Sequence, residues 1–291
     1  MADVMMGFTG SMLPALTEDQ IKARCPLAYA TSPTNDRVSD KYVLANTSTV
    51  IDDMKKLGWV VVDAKQRKGH KDSSGRFSYH MVAFQNPDIS ITKQVGDDGE
   101  KVVDCFPQII LTNSHDGLNC FQFRVGLFRC ICSNGLVICS DKMADVKIRH
   151  IYYSFEELRN TVTSAIETVG VKVERMTAAA AVELTKEQKE DFARKALGIR
   201  KNISVDEVQV DQETIDDLLT PIRKEDEGDS LWNIFNVLQE KITKGGYQES
   251  KDGKKARKVR KVTSFVKDLD INSQLWKVME EYIPAEELVE A

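Results

Sequence analysis

Residues 106–140 read FPQIILTNSHDGLNCFQFRVGLFRCICSNGLVICS, and the fold class turns on how this stretch is parsed. "FPQIILTN" is an apolar, β-branched run, and "LNCFQFRVGLFRCICSNGLVICS" returns to similar composition after Asp116-Gly117. Apolar runs punctuated by Gly, Asn and Asp read as antiparallel strands joined by turns. Strict alternation sets Phe121, Phe123, Val125 and Leu127 on one face, but brings Arg129 with them. A bulge near Gly126 would resolve that conflict and bring Arg124 and Arg129 to the same side. "SNGL" has the composition of a two-residue hairpin, whose type I′ turn needs positive φ at both central positions. That turn would oppose Cys130 to Cys139 and put Cys132 on the same face.

Working outward, "SDKYVLANTSTVIDDMKKLGWVVVDAKQRK" (39–68) reads strand, helix, strand. Ser48 or Thr49 is the expected cap of a helix that carries Val50, Ile51, Met54 and Leu57 on one side and stops at Gly58. "KQRKGHKDSSGRFS" is a polar loop, "FSYHMVAFQN" and "DISITKQV" are strands, and "GDDGE" is a tight turn. From Ser154 the period changes to helical, with Phe155, Leu158, Val162, Ala165, Ile166 and Val169 aligned behind a Ser154/Glu157 capping box. "TKEQKEDFARKALGIRK" repeats the box with Thr185 and Gln188 and should end around Gly198. A short helix and acidic loop follow, then "SLWNIFNVLQEKITKGG", ended by Gly245-Gly246, and a last helix, "INSQLWKVMEEYI". The expected fold class is α+β: an antiparallel β-rich core with a helix in the N-terminal half, followed by a mostly helical C-terminal half. The expected divisions are an N-terminal segment (1–39), the β-rich core (40–153) and a helical region packed on it (154–291).

The 291 residues are 42% hydrophobic and 29% charged, the balance of a soluble chain with a real core. No apolar run is long enough to span a membrane, and the first residues lack the Lys or Arg of a secretory signal. Six cysteines without such a signal suggest reduced thiols in a cytoplasm. The net charge of −5 hides two adjacent blocks. Between Val205 and Asp229 ten acids face two bases; between Lys241 and Lys267 ten bases face two acids. Such asymmetry marks either a polyanion-binding surface with an acidic competitor beside it, or two solvated faces.

Candidate chemistry is sparse. His115 and Asp116 are adjacent at a strand boundary and would point to opposite faces, so a structural turn is favoured over a catalytic pair. Cys130, Cys132 and Cys139, with His115 or Cys120, lack the loop spacing of a zinc site and read more simply as core thiols. Asp104, Asp116 and Asp141 would be the carboxylates of a two-metal nuclease centre, although separated aspartates of this kind are mostly turn formers. No phosphate-binding glycine loop, dinucleotide fingerprint or hydrolase elbow is present, so no catalytic residue, cofactor or metal is assigned. Basic segments offer the better case. Lys65, Arg67 and Lys68 in one loop, Arg124 and Arg129 on one strand, and Lys254, Lys255, Arg257, Lys258, Arg260 and Lys261 near the carboxyl end are the expected phosphate contacts. Tyr247 is the expected stacking residue for an unpaired base.

The ordered motifs "LTNSHDG", "FRCICSNGL", "SLWNIFNVLQEKITKGG" and "INSQLWKVMEEY" resemble the phage- and plasmid-borne family named for domain of unknown function 932, over roughly residues 40–283. The most specific residues are Trp232-Asn233, Asn236, Glu240 and Gly245-Gly246, then Asn272, Leu275 and Trp276; Gly135 departs from the Thr that the family tends to carry there. The resemblance implies a mobile-element protein of DNA metabolism in the cytoplasm of a bacterial host, and supplies no catalytic residues. The function expected is non-enzymatic, largely sequence-independent nucleic-acid binding, with single-stranded DNA favoured, in recombination or replication. A fold-level analogy to ring-forming annealing proteins adds the expectation of a homo-oligomer. The alternatives are an interaction protein that inhibits a host defence factor, and a metal-dependent nuclease.

Overall fold

Pro107 stands inside the longest strand among the described residues, and its position shows how the sheet is assembled. The structure, a computed structural model, describes residues 12–31, 46–67, 79–95, 100–114, 121–129, 135–137, 146–148 and 154–284. It divides into two compact units, 1–169 and 170–291.

In the first unit α1 (Glu18–Arg24) and α2 (Thr47–Lys56) precede β1 (Val60–Gln66), β2 (His80–Gln85), β3 (Ile91–Val95), β4 (Glu100–Asn113), β5 (Phe121–Arg129), β6 (Gly135–Val137) and β7 (Val146–Ile148). Among the described residues these strands form one antiparallel sheet in the order β1-β2-β4-β5-β6, with β3 also on β4 and β7 also on β5. β4 changes partner along one side: β2 pairs as far as Gln108, and β3 takes over from Cys105. Pro107 falls in that handover, where this 14-residue strand has no paired residue on that side, while on the other side Pro107 pairs with Leu127. On one face Val82, Phe84, Ile109, Leu111 and Phe123 pack with Val50, Ile51 and Met54 of α2 and with Trp59. Burial of each such side chain contributes about 1.5–3 kcal/mol.

The chain division falls within α3 (Phe155–Ala181), not ahead of it, because Leu158, Val162 and Ala165 join the first core. Ile21, Cys25 and Ala28 join it too, so the described part of the amino-terminal segment contributes to that core. The β4–β5 register runs from Cys105↔Arg129 to Thr112↔Gln122 without a shift. The bulge expected near Gly126, which would have brought Arg124 and Arg129 to one side, is therefore not formed. The expected two-residue turn is also replaced. Phe128 pairs with Gly135 and Gly126 with Val137, so Gly135 opens β6 instead of turning, and the Cys130–Cys139 opposition derived from that turn does not follow. Helix α2 starts at Thr47 with Asn46 as its N-cap, two residues ahead of Ser48 and three ahead of Thr49, the expected caps.

In the second unit α4 (Lys186–Lys201), α5 (Gln212–Leu219), α6 (Leu231–Lys244) and α7 (Phe265–Glu280) pack around Phe192, Leu197, Ile215, Leu218, Phe235, Leu238 and Trp276. The Thr185/Gln188 capping box forms as expected. Helix α4 runs past Gly198, which lies close to Ile203 O, and ends at Asn202 in the left-handed region. Trp232 stacks on Phe235 at 5.4 Å, and both meet Trp276 edge-on, at 6.4 and 5.8 Å. Such aromatic pairs hold α6 against α7 beyond their buried area.

Candidate nucleic-acid interface

The basic block is a folded hairpin held at its base. Ser230 accepts from the Asn233 N–H to start α6, and Gly245 ends that helix at φ +71. A Cβ on Gly245 would lie 2.5 Å from Val259 O and 2.7 Å from the Arg260 carbonyl carbon, so this corner requires glycine. Gly246 N–H donates to Val259 O (2.9 Å), and Val259 N–H returns to Tyr247 O (2.9 Å). Beyond them β8 (Gln248–Glu249) pairs with β9 (Arg257–Lys258). At the tip Lys254 N–H donates to Lys251 O (3.1 Å), while Asp252 and Gly253 both take positive φ, 56° and 65°. Asp-Gly at two such positions is the preference of a type I′ turn.

The acidic block grips the backbone of this hairpin rather than its cations. Asp217 accepts from the Gln248 N–H (2.6 Å) and from Lys241 Nζ (2.8 Å). Burial opposes ionisation of Asp217, but these donors outweigh it and hold the carboxyl below its usual value. Asp211 accepts from the Gly253 N–H (3.1 Å), its own N–H donates to Ser250 O (3.1 Å), and Thr214 Oγ1 accepts from the Ser250 N–H (2.9 Å). From α4, Arg200 donates to the carbonyls of Ile242 and Arg260, both at 2.5 Å. Lys201 Nζ takes the Glu249 carboxylate at 2.9 Å.

The side chains of Lys254, Lys255, Arg257, Lys258, Arg260 and Lys261 are left exposed. Among the described residues none of the six makes an ion pair. Tyr247 is a correction. It is 0% exposed, and burial, with the Glu249 carboxylate nearby, pushes its hydroxyl up to about 12. A ring sealed in the core cannot stack on a base. Lys251, at the near end of the turn, belongs to the same basic block and is exposed too, and "KDGK" carries an Asp-Gly hairpin signal. The motif residues Trp232, Asn236, Glu240, Asn272 and Trp276 are structural here. Gln239 Nε2 donates to Asn272 Oδ1 (2.8 Å), Asn236 caps the Trp232 carbonyl (2.7 Å), and Glu240 accepts from Arg223 (2.6 Å).

The remaining candidates lie in the first unit. Lys65 is exposed and meets Asp63 at 2.7 Å; Arg67 is exposed; Arg124 is half-buried, its Nη2 3.4 Å from Gln122 Oε1. Arg129 contributes its backbone to β5, and Lys68 lies outside the described residues. So do His115, Asp116, Cys120, Cys130, Cys132, Cys139 and Asp141, and the side chain of Asp104. At the end of β4, Thr47 Oγ1 lies 2.8 Å from His80 Nε2 and accepts from Asn113 Nδ2 (3.1 Å), all three fully buried. This network ties the start of α2 to β2 and β4. Among the described residues no three His, Cys, Asp or Glu side chains converge as a metal set, and no helix is long and apolar enough to cross a membrane.

Two relatives in Escherichia coli (strain K12) align over 272 residues, about 90% of each chain. They are UPF0380 protein YafZ, 27% identical, and UPF0380 protein YfjQ, 26% identical. No solved structure matches this chain. A family model, domain of unknown function DUF932, matches residues 35–276. The ordered motifs, the helical packing they build and this match agree, and the chain belongs to the DUF932 family.

Proposed function

We propose that this protein binds nucleic acid without catalysing a reaction, gripping backbone phosphates through the hairpin of residues 245–261 with little regard to sequence. One observation carries the reading: six exposed cations stand on a braced scaffold with no carboxylate partner among the described residues, while neighbouring acids are engaged by backbone N–H groups. Unpaired cations on a preorganised frame suit phosphate oxygens, because counterion release drives association. Nothing on the hairpin has the form of a base-reading element, which fits sequence-independent contact. Single-stranded DNA, whose phosphates can follow a short curved hairpin, is the favoured partner. A role in recombination or replication of a phage or plasmid, in the bacterial cytoplasm and as a homo-oligomer, completes the proposal.

The test is a salt titration of the full chain against single- and double-stranded oligonucleotides. Affinity should fall steeply with salt, log K against log[salt] having a slope of about −0.7 per phosphate contacted on a single strand. Affinity undetectable at low salt, or independent of salt, refutes the reading.

A further inference from the structure

The hairpin divides its cations between two surroundings. Lys251, Lys254, Lys255 and Arg257 line a single concavity of ≈ 600 Å³, together with Ser250 and Glu249. Lys258, Arg260 and Lys261 are not part of its wall. The strand register explains the split, since Arg257 opposes Glu249 and Lys258 opposes Gln248, and neighbours along a strand point to opposite faces. The one carboxylate in the wall, Glu249, is already engaged by Lys201 at 2.9 Å. The Lys251 ammonium meets the Gln209 amide oxygen, which leaves its charge uncompensated. Asp211 fixes the turn at the Gly253 N–H, so the cations are presented on a positioned loop.

From this convergence we infer that the concavity is a site for a phosphate monoester: the terminal phosphate of a strand, or that of a free mononucleotide. The inference deepens the nucleic-acid reading and, for the strand-end source, rests on it. A backbone diester carries one negative charge, whereas a monoester carries between one and a half and two near neutral pH. Four cations around one cavity exceed what a passing diester neutralises and suit the more charged group. The volume lies in the range of small-ligand sites, with room for the attached sugar as well as the phosphate. Lys258, Arg260 and Lys261 are left to hold the diester chain that leads away.

Binding of a short oligothymidylate to the full chain, with a 5′-phosphate, a 3′-phosphate or hydroxyl ends, tests this by fluorescence anisotropy, with adenosine monophosphate and adenosine as competitors. A terminal phosphate should tighten binding roughly fivefold, and adenosine monophosphate should compete where adenosine does not. In a Lys254→Gln/Lys255→Gln variant, checked for an unchanged thermal transition, that increment should vanish. A Lys258→Gln/Lys261→Gln variant should weaken all three oligonucleotides alike and keep it. Equal binding of phosphorylated and hydroxyl ends overturns the monoester site while leaving general DNA binding standing. An increment that survives Lys254→Gln/Lys255→Gln overturns its location. If no oligonucleotide binds but adenosine monophosphate displaces a fluorescent mononucleotide, the site holds with a free nucleotide as its ligand, and the DNA reading falls.

Discussion

Arg200 donates from Nη2 to the backbone carbonyl of Arg260 at 2.5 Å, so one cation is used to position another. Its Nη1 holds the Ile242 carbonyl, tying the end of α6 to the strand that returns from the hairpin. Hydrogen bonds from a charged donor contribute more than neutral ones, and leaving a part-buried carbonyl without its donor adds to the loss. Arg200→Met should lower unfolding free energy by about 2 kcal/mol. It should also weaken oligonucleotide binding several-fold, although Arg200 itself reaches no ligand. Urea denaturation and anisotropy read the two effects. Unchanged affinity in a destabilised variant would show that the hairpin does not need this clamp.

Two glycines of the hairpin should respond differently to the same substitution. Gly245 combines φ +71 with backbone atoms 2.5 and 2.7 Å from where a Cβ would sit, whereas Gly253 has φ +65 and open space. Gly253→Ala should therefore cost about 1 kcal/mol, the price of a left-handed alanine. Gly245→Ala adds a clash that only backbone movement relieves, and should cost about 3 kcal/mol or more. Thermal unfolding ranks the pair; equal losses would mean that the corner at Gly245 can open freely.

Acid should loosen the base of the hairpin before the aromatic core of the second unit. The Asp217 carboxyl is held below its usual value, with burial opposed by the Lys241 ammonium and the Gln248 N–H. A lowered folded value means that this contribution is complete above the unfolded value of about 3.9 and is lost as pH falls through the folded one. Urea midpoints should thus begin to fall below about pH 4. Asp217→Asn should remove this contribution to the acid dependence and lower stability at neutral pH by about 2 kcal/mol, since Lys241, with only 8% of its side chain exposed, loses this carboxylate. A variant with the wild-type midpoint at both pH values would show that the pair does not brace the hairpin.

The helices were legible because their signals are local. Thr185 with Gln188, and Gly245 after Lys244, each act within a few residues, and each does so in the structure. The strand positions were legible as well, but not their registers. Whether Gly126 bulges or Asn134-Gly135 turns depends on what pairs across the sheet, and that partner lies far away in sequence. At the interface, composition pointed to the basic block, yet not to its shape. Asp211, Asp217 and Arg200 act on its backbone from 31 to 60 residues away, and no local pattern announces such contacts. Tyr247 was misread for the same reason: its immediate neighbours are polar, but the chain buries it from a distance.

The burial of Tyr247 leads to an expectation opposite to that for a base-stacking residue. Its ring is sealed in the core, and its hydroxyl is buried without a hydrogen-bond partner among the described residues. Phenylalanine fills the same space and removes that unmet polar group, so Tyr247→Phe should be neutral or stabilising by about 1 kcal/mol. Affinity for oligonucleotides should not change. Burial raises the hydroxyl to about 12, above an unfolded value near 10, so its contribution is complete below about pH 10 and is lost as pH rises through the folded value. Tyr247→Phe should therefore keep more of its stability than the wild type between pH 10 and 12. A clear loss of DNA affinity in this variant, with stability intact, would return the ring to the binding surface and require the hairpin to open when it binds.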